Sequence, residues 1–312
     1  MQTLLAPLLR AWTTLPAVLR GALLIVASTL GFAGMHACIR YASDEGGLHS
    51  FEIAFFRNLF GLLVLVPLFA RNGPAVFRTK RLKLHVFRGS IQVFAMLMFF
   101  SAVTMTPLAT VSALSFTAPL FATIGAVLFL KEKIRLRRVT ALIIGFVGML
   151  IIVRPGMVAL DVGGLLVIGS SAIWAMAMLI IKDLGRTESS VTITTYMVVV
   201  MTPLTLIPAL FVWTWPSLEM YAVFTLMGLL GSAAHVAMAQ AFKEAEATVV
   251  LPFDFTRLIW AGLLGYLLFG QMPDEFVWLG GAVIFASTTY IAYREAQVAS
   301  REEAADKAAG GR

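Results

Sequence analysis

Leu251-Pro252-Phe253-Asp254-Phe255-Thr256-Arg257-Leu258-Ile259-Trp260 places an aspartate and an arginine inside a long apolar segment. The surrounding run is long enough to cross the roughly 30 Å hydrocarbon core of a bilayer as a helix. Charges in such a segment are costly, so they usually face a cavity, find a partner and mark a substrate or ion path. A spacing of three places Asp254, Arg257 and Trp260 on one helix face.

The rest of the chain also has the composition of a membrane protein. Of the 312 residues, 59% are hydrophobic and 13% are charged, whereas soluble domains carry about 25% charged residues. The net charge is +7, but the basic residues lie in short loops between apolar runs, which indicates membrane orientation rather than nucleic-acid binding. Cys38 is the only cysteine, which excludes an internal disulfide and a cysteine-based metal cluster.

Apolar runs of bilayer-spanning length predict an all-α membrane protein with ten transmembrane helices. We place the spans at residues 19–39, 51–70, 84–105, 109–130, 136–153, 163–182, 191–213, 219–240, 247–269 and 276–293. Ten spans put both termini on one side. If that side is inside, only Arg40 and Arg154 of the 24 lysines and arginines fall in outer segments, while Arg57 and Arg257 lie within spans. This bias predicts that both termini are cytoplasmic.

The two halves of the chain resemble each other in sequence. Arg40 of the first span corresponds to Lys182 of the sixth, and Ala109-Thr110-Val111 corresponds to Ala247-Thr248-Val249. Each half has five spans, an odd number, so the repeats are predicted to be inverted, as in secondary carriers with a site near the midplane. The predicted divisions are a cytoplasmic segment (1–18), a first repeat (19–153), a second repeat (163–293) and a cytoplasmic tail (294–312).

Several runs carry a resemblance to a known family. Residues 48–57, Pro107-Leu108-Ala109, Ala118-Pro119-Leu120-Phe121 and Leu130-Lys131-Glu132 resemble the EamA family of drug/metabolite transporters. The resemblance covers about residues 20–293 and implies ten helices in two EamA repeats, around a cavity that opens alternately to each side. It also implies a secondary carrier without ATP hydrolysis or a bound cofactor. Gln271 departs from the pattern, because the second repeat often has a glutamate there.

Within that family, two segments narrow the resemblance. The runs at 51–57 and 252–257 are similar to those of bacterial carriers for riboflavin or S-adenosylmethionine. The implied function is uptake of such a metabolite across the bacterial inner membrane. An exporter of aromatic or other amino acids is the first alternative, and a non-transporting scaffold or a channel is the alternative of another class.

Polar and aromatic residues inside the spans are the candidate substrate-binding residues. They are Arg257, Asp254, Trp260, Trp174, His36, Arg57, Gln92 and His235. Each has a structural alternative. Asp254 and Arg257 bind substrate or form a packing ion pair, and Arg57 lines the outer cavity or extends to water along the lipid surface. The histidines serve proton coupling, because histidine titrates near neutral pH, or they pack between helices. The tryptophans stack on a flat ring of the substrate or fill the core.

Motifs for enzymatic chemistry are missing from the sequence. There is no Gly-Lys-Ser/Thr phosphate loop and no His-Glu-x-x-His metal helix. We therefore predict a transporter without catalytic residues, bound metal or cofactor. Its partners are a small-molecule substrate and the lipid bilayer, with no nucleic acid. Direction of transport, proton coupling and the choice between monomer and homodimer stay open at this level.

Overall fold

The computed structural model is all-helical in the part of the chain that it describes. That part comprises residues 12, 14–73, 77–105, 114–115, 117–131, 136–153, 162–270, 275–276, 278–283, 286–287 and 290. Residues 1–11 and 13 of the predicted N-terminal segment (1–18) and the whole predicted tail (294–312) therefore lie outside the described residues, as do the links 106–113 and 154–161.

Nine main helices follow one another within these described residues. They are α1 (Ala17–Asp44), α2 (Ser50–Asn72), α3 (Leu82–Met105), α4 (Thr117–Leu130), α5 (Leu136–Val153), α6 (Val162–Leu184), α7 (Ser190–Leu210), α8 (Leu218–Glu244) and α9 (Thr256–Phe269). The chain enters α9 through a short helix, Ala247–Val250, and a 3₁₀ helix, Leu251–Phe255. The helices fall in order on the first nine predicted spans. The tenth predicted span is described only in short pieces.

Six of the described helices are long and apolar enough to cross a membrane. They are α1, α2, α3, α6, α7 and α8, and shorter apolar helices occur at Phe121–Leu130 in α4 and Val139–Gly148 in α5. Large apolar side chains such as Leu128, Phe129 and Leu267 are exposed on the outer surface of the bundle. Such an apolar exterior suits a bilayer, which confirms the prediction of an all-α membrane protein.

Local sequence signals explain where several helices begin and end. At the start of α2, His49 Nδ1 accepts from the Phe51 amide at 3.2 Å while Glu52 Oε2 accepts from the His49 amide at 3.1 Å, forming a capping box. Ser189 caps α7 by accepting from the Thr192 amide at 3.0 Å.

The ninth predicted span contains a short α-helix, a 3₁₀ helix and α9 rather than one continuous α-helix. Pro252 has no amide hydrogen to donate and lies at the start of the 3₁₀ helix Leu251–Phe255, which holds Asp254. Arg257 lies in the first turn of α9. The spacing of three still brings the two charged side chains together, because a 3₁₀ turn contains three residues.

Helix packing in the described residues follows a two-fold pattern. The pair α1–α8 packs extensively. Moving each helix by five places in the helix order turns this pair into α6–α3, which also packs extensively. In the same way α2–α8 corresponds to α3–α7, α1–α9 corresponds to α4–α6, and α2–α7 corresponds to itself. The two halves therefore pack as related units, as the internal sequence repeat predicts.

Small residues permit the closest helix contacts. A methyl group added to Gly228 of α8 would lie 2.6 Å from the carbonyl carbon of Phe60 and 2.7 Å from the Gly61 amide nitrogen in α2. Backbone atoms cannot move aside as a flexible side chain can. Gly228 is therefore a close-contact position, as expected for small residues at a membrane helix interface.

We expect Gly228→Ala to lower the stability of the folded protein in detergent. Overpacking at a tight contact costs about 1–3 kcal/mol, so the melting temperature should fall by several degrees. Gly281→Ala is the matched control, since no described atom lies within 4 Å of its added methyl group. Thermal unfolding of both purified variants measures the difference. Equal melting temperatures would contradict the close contact of α2 with α8.

Candidate functional site

A cavity of about 740 Å³ lies between the helices, within the range of about 300–1,000 Å³ that is usual for small-molecule sites. Its lining reaches Arg40, Ser43, Asp44 and Ser50 where α1 joins α2, and Ser43 and Asp44 are exposed. We call this side of the molecule the open end. The opposite side, which carries Arg20, Arg81, Lys182, Asp183 and Glu244, is called the closed end.

Most of the residues predicted from sequence meet around this cavity. Its lining includes His36, Arg57, Gln92, Trp174, His235, Asp254 and Arg257. They come from α1, α2, α3, α6, α8, the 3₁₀ helix and α9, so both halves of the chain contribute. Trp260 is the exception. It is half-buried in α9, does not belong to the lining, and its indole Nε1 has no hydrogen-bond partner among the described residues.

Arg57 is the central cation of the cavity, and its side chain is buried, with 8% of the residue exposed. Its Nη1 donates to Asn58 Oδ1 at 2.9 Å, and its Nη2 lies 3.0 Å from His235 Nε2. Its Nε lies 3.3 Å from Met35 Sδ. No carboxylate lies within ion-pair distance of Arg57 in the part of the chain that the structure describes. Of the two placements predicted for Arg57, the structure shows the one inside the cavity.

Gly231 of α8 provides the space for this guanidinium. A methyl group on Gly231 would lie 2.8 Å from Met35 Sδ and 3.5 Å from Arg57 Nε and Nη2. The closest approach is to the Met35 sulfur, so a side chain at this position would first displace Met35, which contacts Arg57. The guanidinium is held by shape and by neutral hydrogen-bond partners, which leaves its positive charge available to a ligand.

Three aromatic rings form one wall of the cavity. The ring centroids of Phe32 and His235 are 4.9 Å apart, and those of Trp174 and His235 are 5.8 Å apart. Phe32 and Trp174 meet edge to face at 6.4 Å. Arg257 Cζ lies 5.5 Å from the centre of the Phe32 ring, within the distance of a cation–π contact. Aromatic wall and cations thus share one surface.

Asp254 and Arg257 form an ion pair, with 2.6 Å between Oδ1 and Nη2. The aspartate side chain is 7% exposed and the arginine side chain 21%. Beside them, the hydroxyls of Thr29 and Thr256 are 2.9 Å apart and join α1 to α9. This pair is therefore fixed near the bottom of the cavity, and it balances its own charge.

His36 and Gln92 complete the polar lining. The His36 side chain is exposed to the cavity, whereas His235 is buried. Gln92 Nε2 lies 3.5 Å from Met197 Sδ, and its Oε1 has no hydrogen-bond partner among the described residues. Gln92 can therefore offer an acceptor to a ligand.

Arg88 is absent from the predicted site residues. Its sequence position placed it with the basic residues of the inner loops, but the side chain lies within α3 and only 1% of the residue is exposed. Its Nη1 donates to the Ile193 carbonyl at 3.1 Å. The signal was present, because His85, Arg88 and Gln92 recur at spacings of three and four, which place them on one face of α3.

The closed end is held by charged side chains that join different helices. Arg20 of α1 and Glu244 of α8 form an ion pair with 2.6 Å between Nη2 and Oε2. Lys182 of α6 donates to the carbonyls of Phe242, at 2.5 Å, and Ala245. A cation at the last carbonyls of α8 satisfies groups that the helix leaves unpaired and complements the helix dipole.

A second group of contacts joins the α2–α3 connection to α6 and α7. Arg81 forms an ion pair with Asp183. Thr79 donates to Glu188 Oε1 at 2.6 Å, and Lys243 donates to the Glu188 carbonyl at 3.2 Å. These links hold the two halves together at the closed end, while the cavity stays open at the other.

We expect Lys182→Met to loosen the closed end. The lysine bridges α6 and α8, and methionine keeps a chain of similar length without the charge. A cysteine at Val250, a buried residue packed beside Gly21 and Ala245, reports on this opening after Cys38→Ser.

The measurement is labelling of Val250→Cys by a membrane-impermeant maleimide added at the closed-end side. Loss of hydrogen bonds to a charged group, about 1.5–3 kcal/mol, should raise the labelling rate about tenfold or more. Lys131→Met is the control, because Lys131 is exposed beyond α4. An unchanged rate in Lys182→Met would show that this bridge does not hold the end closed.

Comparison with known proteins identifies the relatives of this chain. The model of the EamA-like transporter family matches residues 19–154 and again residues 161–293. A riboflavin transporter of Vibrio cholerae is 32% identical over 287 residues, which covers 91% of this chain and 96% of the relative. An S-adenosylmethionine uptake transporter of Rickettsia bellii is 30% identical over 255 residues, covering 82% of this chain and 88% of the relative.

A solved crystal structure shows the same fold. It superposes with a TM-score of 0.71 at 16% sequence identity and covers 87% of this chain and 97% of that chain. At this identity the likeness concerns the fold alone. The two family matches together span most of the sequence, one for each of the two halves that the packing pattern relates. The chain therefore belongs to the EamA-like transporter family and is a multi-pass membrane transporter of small metabolites built from two EamA repeats.

Proposed function

We propose that this transporter takes up riboflavin across the bacterial inner membrane by alternating access. The observation that carries the proposal is Arg57, a buried cation without a carboxylate partner among the described residues, which faces a cavity with an aromatic wall. Buried charges are normally paired. A ligand with carbonyl and ring-nitrogen acceptors at one edge of a flat ring would supply the missing partner.

The aromatic wall supports a flat, ring-containing substrate. Phe32, Trp174 and His235 border the cavity within one cluster. Offset or edge-on contacts between aromatic rings add about 0.5–1.5 kcal/mol beyond area burial. The three fused rings of riboflavin fit such a wall, and the ribityl hydroxyls would then extend toward polar residues such as Gln92 and His36.

Charge favours riboflavin over S-adenosylmethionine. In the cavity, Arg257 is paired with Asp254 and Arg40 with Asp44, so Arg57 leaves a net positive charge among the described lining residues. S-adenosylmethionine carries a sulfonium and an ammonium group against one carboxylate and is a net cation. Like charges in a poorly screened site repel, whereas riboflavin is neutral. Relatives named for riboflavin and for S-adenosylmethionine are about equally similar to this chain. The charge of the cavity is therefore what favours riboflavin.

The direction of the open end follows from the basic residues. Arg20, Arg81, Lys182, Arg186 and Lys243 lie at the closed end, and the open end carries Arg40. Basic residues concentrate on the cytoplasmic side of membrane proteins. In our proposal the closed end and both termini are therefore cytoplasmic, and the cavity is open to the outside, ready to accept substrate for uptake.

Equilibrium binding to the purified transporter in detergent tests the substrate. Riboflavin is fluorescent, and contact with Trp174 should quench its emission as protein is added. We expect saturable quenching that S-adenosylmethionine and phenylalanine do not reverse. Reversal by S-adenosylmethionine would assign that substrate instead, and reversal by phenylalanine would favour the amino-acid exporter.

A further inference from the structure

Three polar side chains of α3 form a row that continues from the cavity toward the closed end. We call His85, Arg88 and Gln92 the α3 row. Their exposed fractions are 1%, 1% and 4%. Gln92 lines the cavity, whereas His85 and Arg88 do not. The row therefore consists of polar side chains that are buried in the closed part of the helix bundle.

The row extends from the cavity toward the closed end, and its side chains pack against α7 and Glu188. Arg88 Nη2 and Gln92 Nε2 each lie 3.5 Å from the sulfur of Met197 in α7. The His85 ring stacks on Tyr196, with 4.5 Å between centroids, and its Nε2 lies 3.9 Å from Glu188 Oε1. Glu188 also accepts from Thr79 at the closed end.

Several polar atoms of the row lack partners. Both ring nitrogens of His85, Nε of Arg88 and Oε1 of Gln92 make no hydrogen bond within the described part of the chain. Buried polar atoms in natural proteins are nearly always satisfied. Four such atoms side by side indicate a surface that is wet or occupied in another state of the protein.

A comparison with Arg57 indicates which state that is. Arg57 lies in the second turn of α2, counted from the open end, and Arg88 lies in the second turn of α3, counted from the closed end. Both guanidinium groups lack a carboxylate within ion-pair distance among the described residues. If the closed end opens as the open end shuts, Arg88 gains access to a cavity as Arg57 has it here.

We propose that the α3 row is a second substrate site, used after the carrier opens at the closed end. Arg88 then binds the acceptor edge of the substrate that Arg57 binds in the state seen here, and Gln92 contacts the substrate in both states. This inference rests on the proposed transport by alternating access. It adds Arg88 and His85 as residues for release on the second side.

Accessibility of single cysteines tests the row without a known substrate. In a Cys38→Ser background, Arg88→Cys is labelled with an impermeant maleimide in right-side-out and inside-out vesicles. Met197→Cys is labelled in the same way, because this substitution beside Arg88 removes no charge. Ala261→Cys, which lines the open cavity, is the open-end control, and the exposed Arg186→Cys is the closed-end control. We expect both test cysteines to react from the closed-end side. If neither reacts while both controls do, Arg88 is a permanent packing residue and the proposal fails.

A split between binding and transport tests the role in release. Arg88→Gln should bind riboflavin in detergent within about twofold of the unmodified protein, because Arg88 does not line the open cavity. Its uptake into proteoliposomes should fall about tenfold or more when the charged hydrogen bonds are lost, with partial recovery in Arg88→Lys. Normal uptake by Arg88→Gln would overturn the proposal, and so would an equal loss of binding and uptake. If the two test cysteines react from the closed-end side but riboflavin does not bind, riboflavin is not the substrate, while the second site in the α3 row still stands.

Discussion

Arg57→Gln is expected to lower uptake at low riboflavin about tenfold to a hundredfold, while the protein still folds and reaches the membrane. The guanidinium is buried, faces the cavity and has neutral partners in Asn58, His235 and Met35, so its charge is available to the substrate. Losing hydrogen bonds from a charged donor costs about 1.5–3 kcal/mol, which corresponds to about tenfold to a hundredfold weaker binding. Initial uptake rates at low riboflavin measure the effect directly.

Two further variants separate substrate binding from general effects of charge. Arg57→Lys keeps the charge but loses the planar fork of donors, so uptake should stay low. Arg186→Gln makes the same change as Arg57→Gln at an exposed residue of the closed end, and uptake should be close to normal. Full activity of Arg57→Lys would indicate that Arg57 supplies only a charge near water, as in the alternative placement along the lipid surface.

Neutralising either member of the Asp254–Arg257 pair should also remove transport. Arg257→Ala leaves a buried carboxylate without its partner, and Asp254→Asn leaves Arg257 as a second unbalanced cation beside Phe32. Breaking a buried pair costs about 3–5 kcal/mol. We expect uptake near the level of empty liposomes for both variants, together with a lower melting temperature in detergent.

The double variant Asp254→Asn with Arg257→Gln distinguishes a binding pair from a packing pair. It removes both charges and keeps similar volumes, and replacing a whole buried pair is often neutral for stability. If the pair only packs, the double variant should regain both stability and uptake. If Arg257 binds substrate, stability should recover while uptake stays absent. This second result is the one we expect.

The sequence predicted the helices well, because bilayer length and helix periodicity act on each span separately. Pro252 indicated a position where the helix can kink before α9, but the sequence alone did not predict a 3₁₀ helix there. Proline permits a kink or a 3₁₀ turn, and packing of the 3₁₀ helix against α5 and α1 decides which occurs. Such contacts join residues far apart in sequence and cannot be derived from one segment.

For the residues of the cavity, the residue type was a better predictor than the position within a span. Polar groups inside apolar spans, such as Arg57 and His235, were found because a charge or an imidazole in a bilayer needs an interior place. Arg88 was missed because it lies near the predicted end of its span, where a basic residue usually faces the cytoplasm. Trp260 was included for its position inside a span and its spacing from Arg257, but α9 presents Arg257, Ala261 and Leu264 to the cavity instead.

The closed end was also outside the reach of sequence analysis. Lys182 and Arg40 were matched as repeat-related basic residues, yet the structure gives them different surroundings. Lys182 binds the last carbonyls of α8, and Arg40 lies 3.3 Å from Asp44 at the cavity mouth. The two ends of the bundle thus differ, one shut and one open, although the two halves of the chain are similar in sequence, and this asymmetry belongs to the conformation.

Riboflavin flux into proteoliposomes is the direct test of the proposed uptake. The purified transporter is reconstituted, uptake is followed by the fluorescence of riboflavin itself, and unlabelled S-adenosylmethionine and phenylalanine are offered as competitors. We expect saturable uptake that neither competitor inhibits and that Arg257→Ala removes. No flux above empty liposomes, or inhibition by phenylalanine, would contradict riboflavin uptake through this cavity.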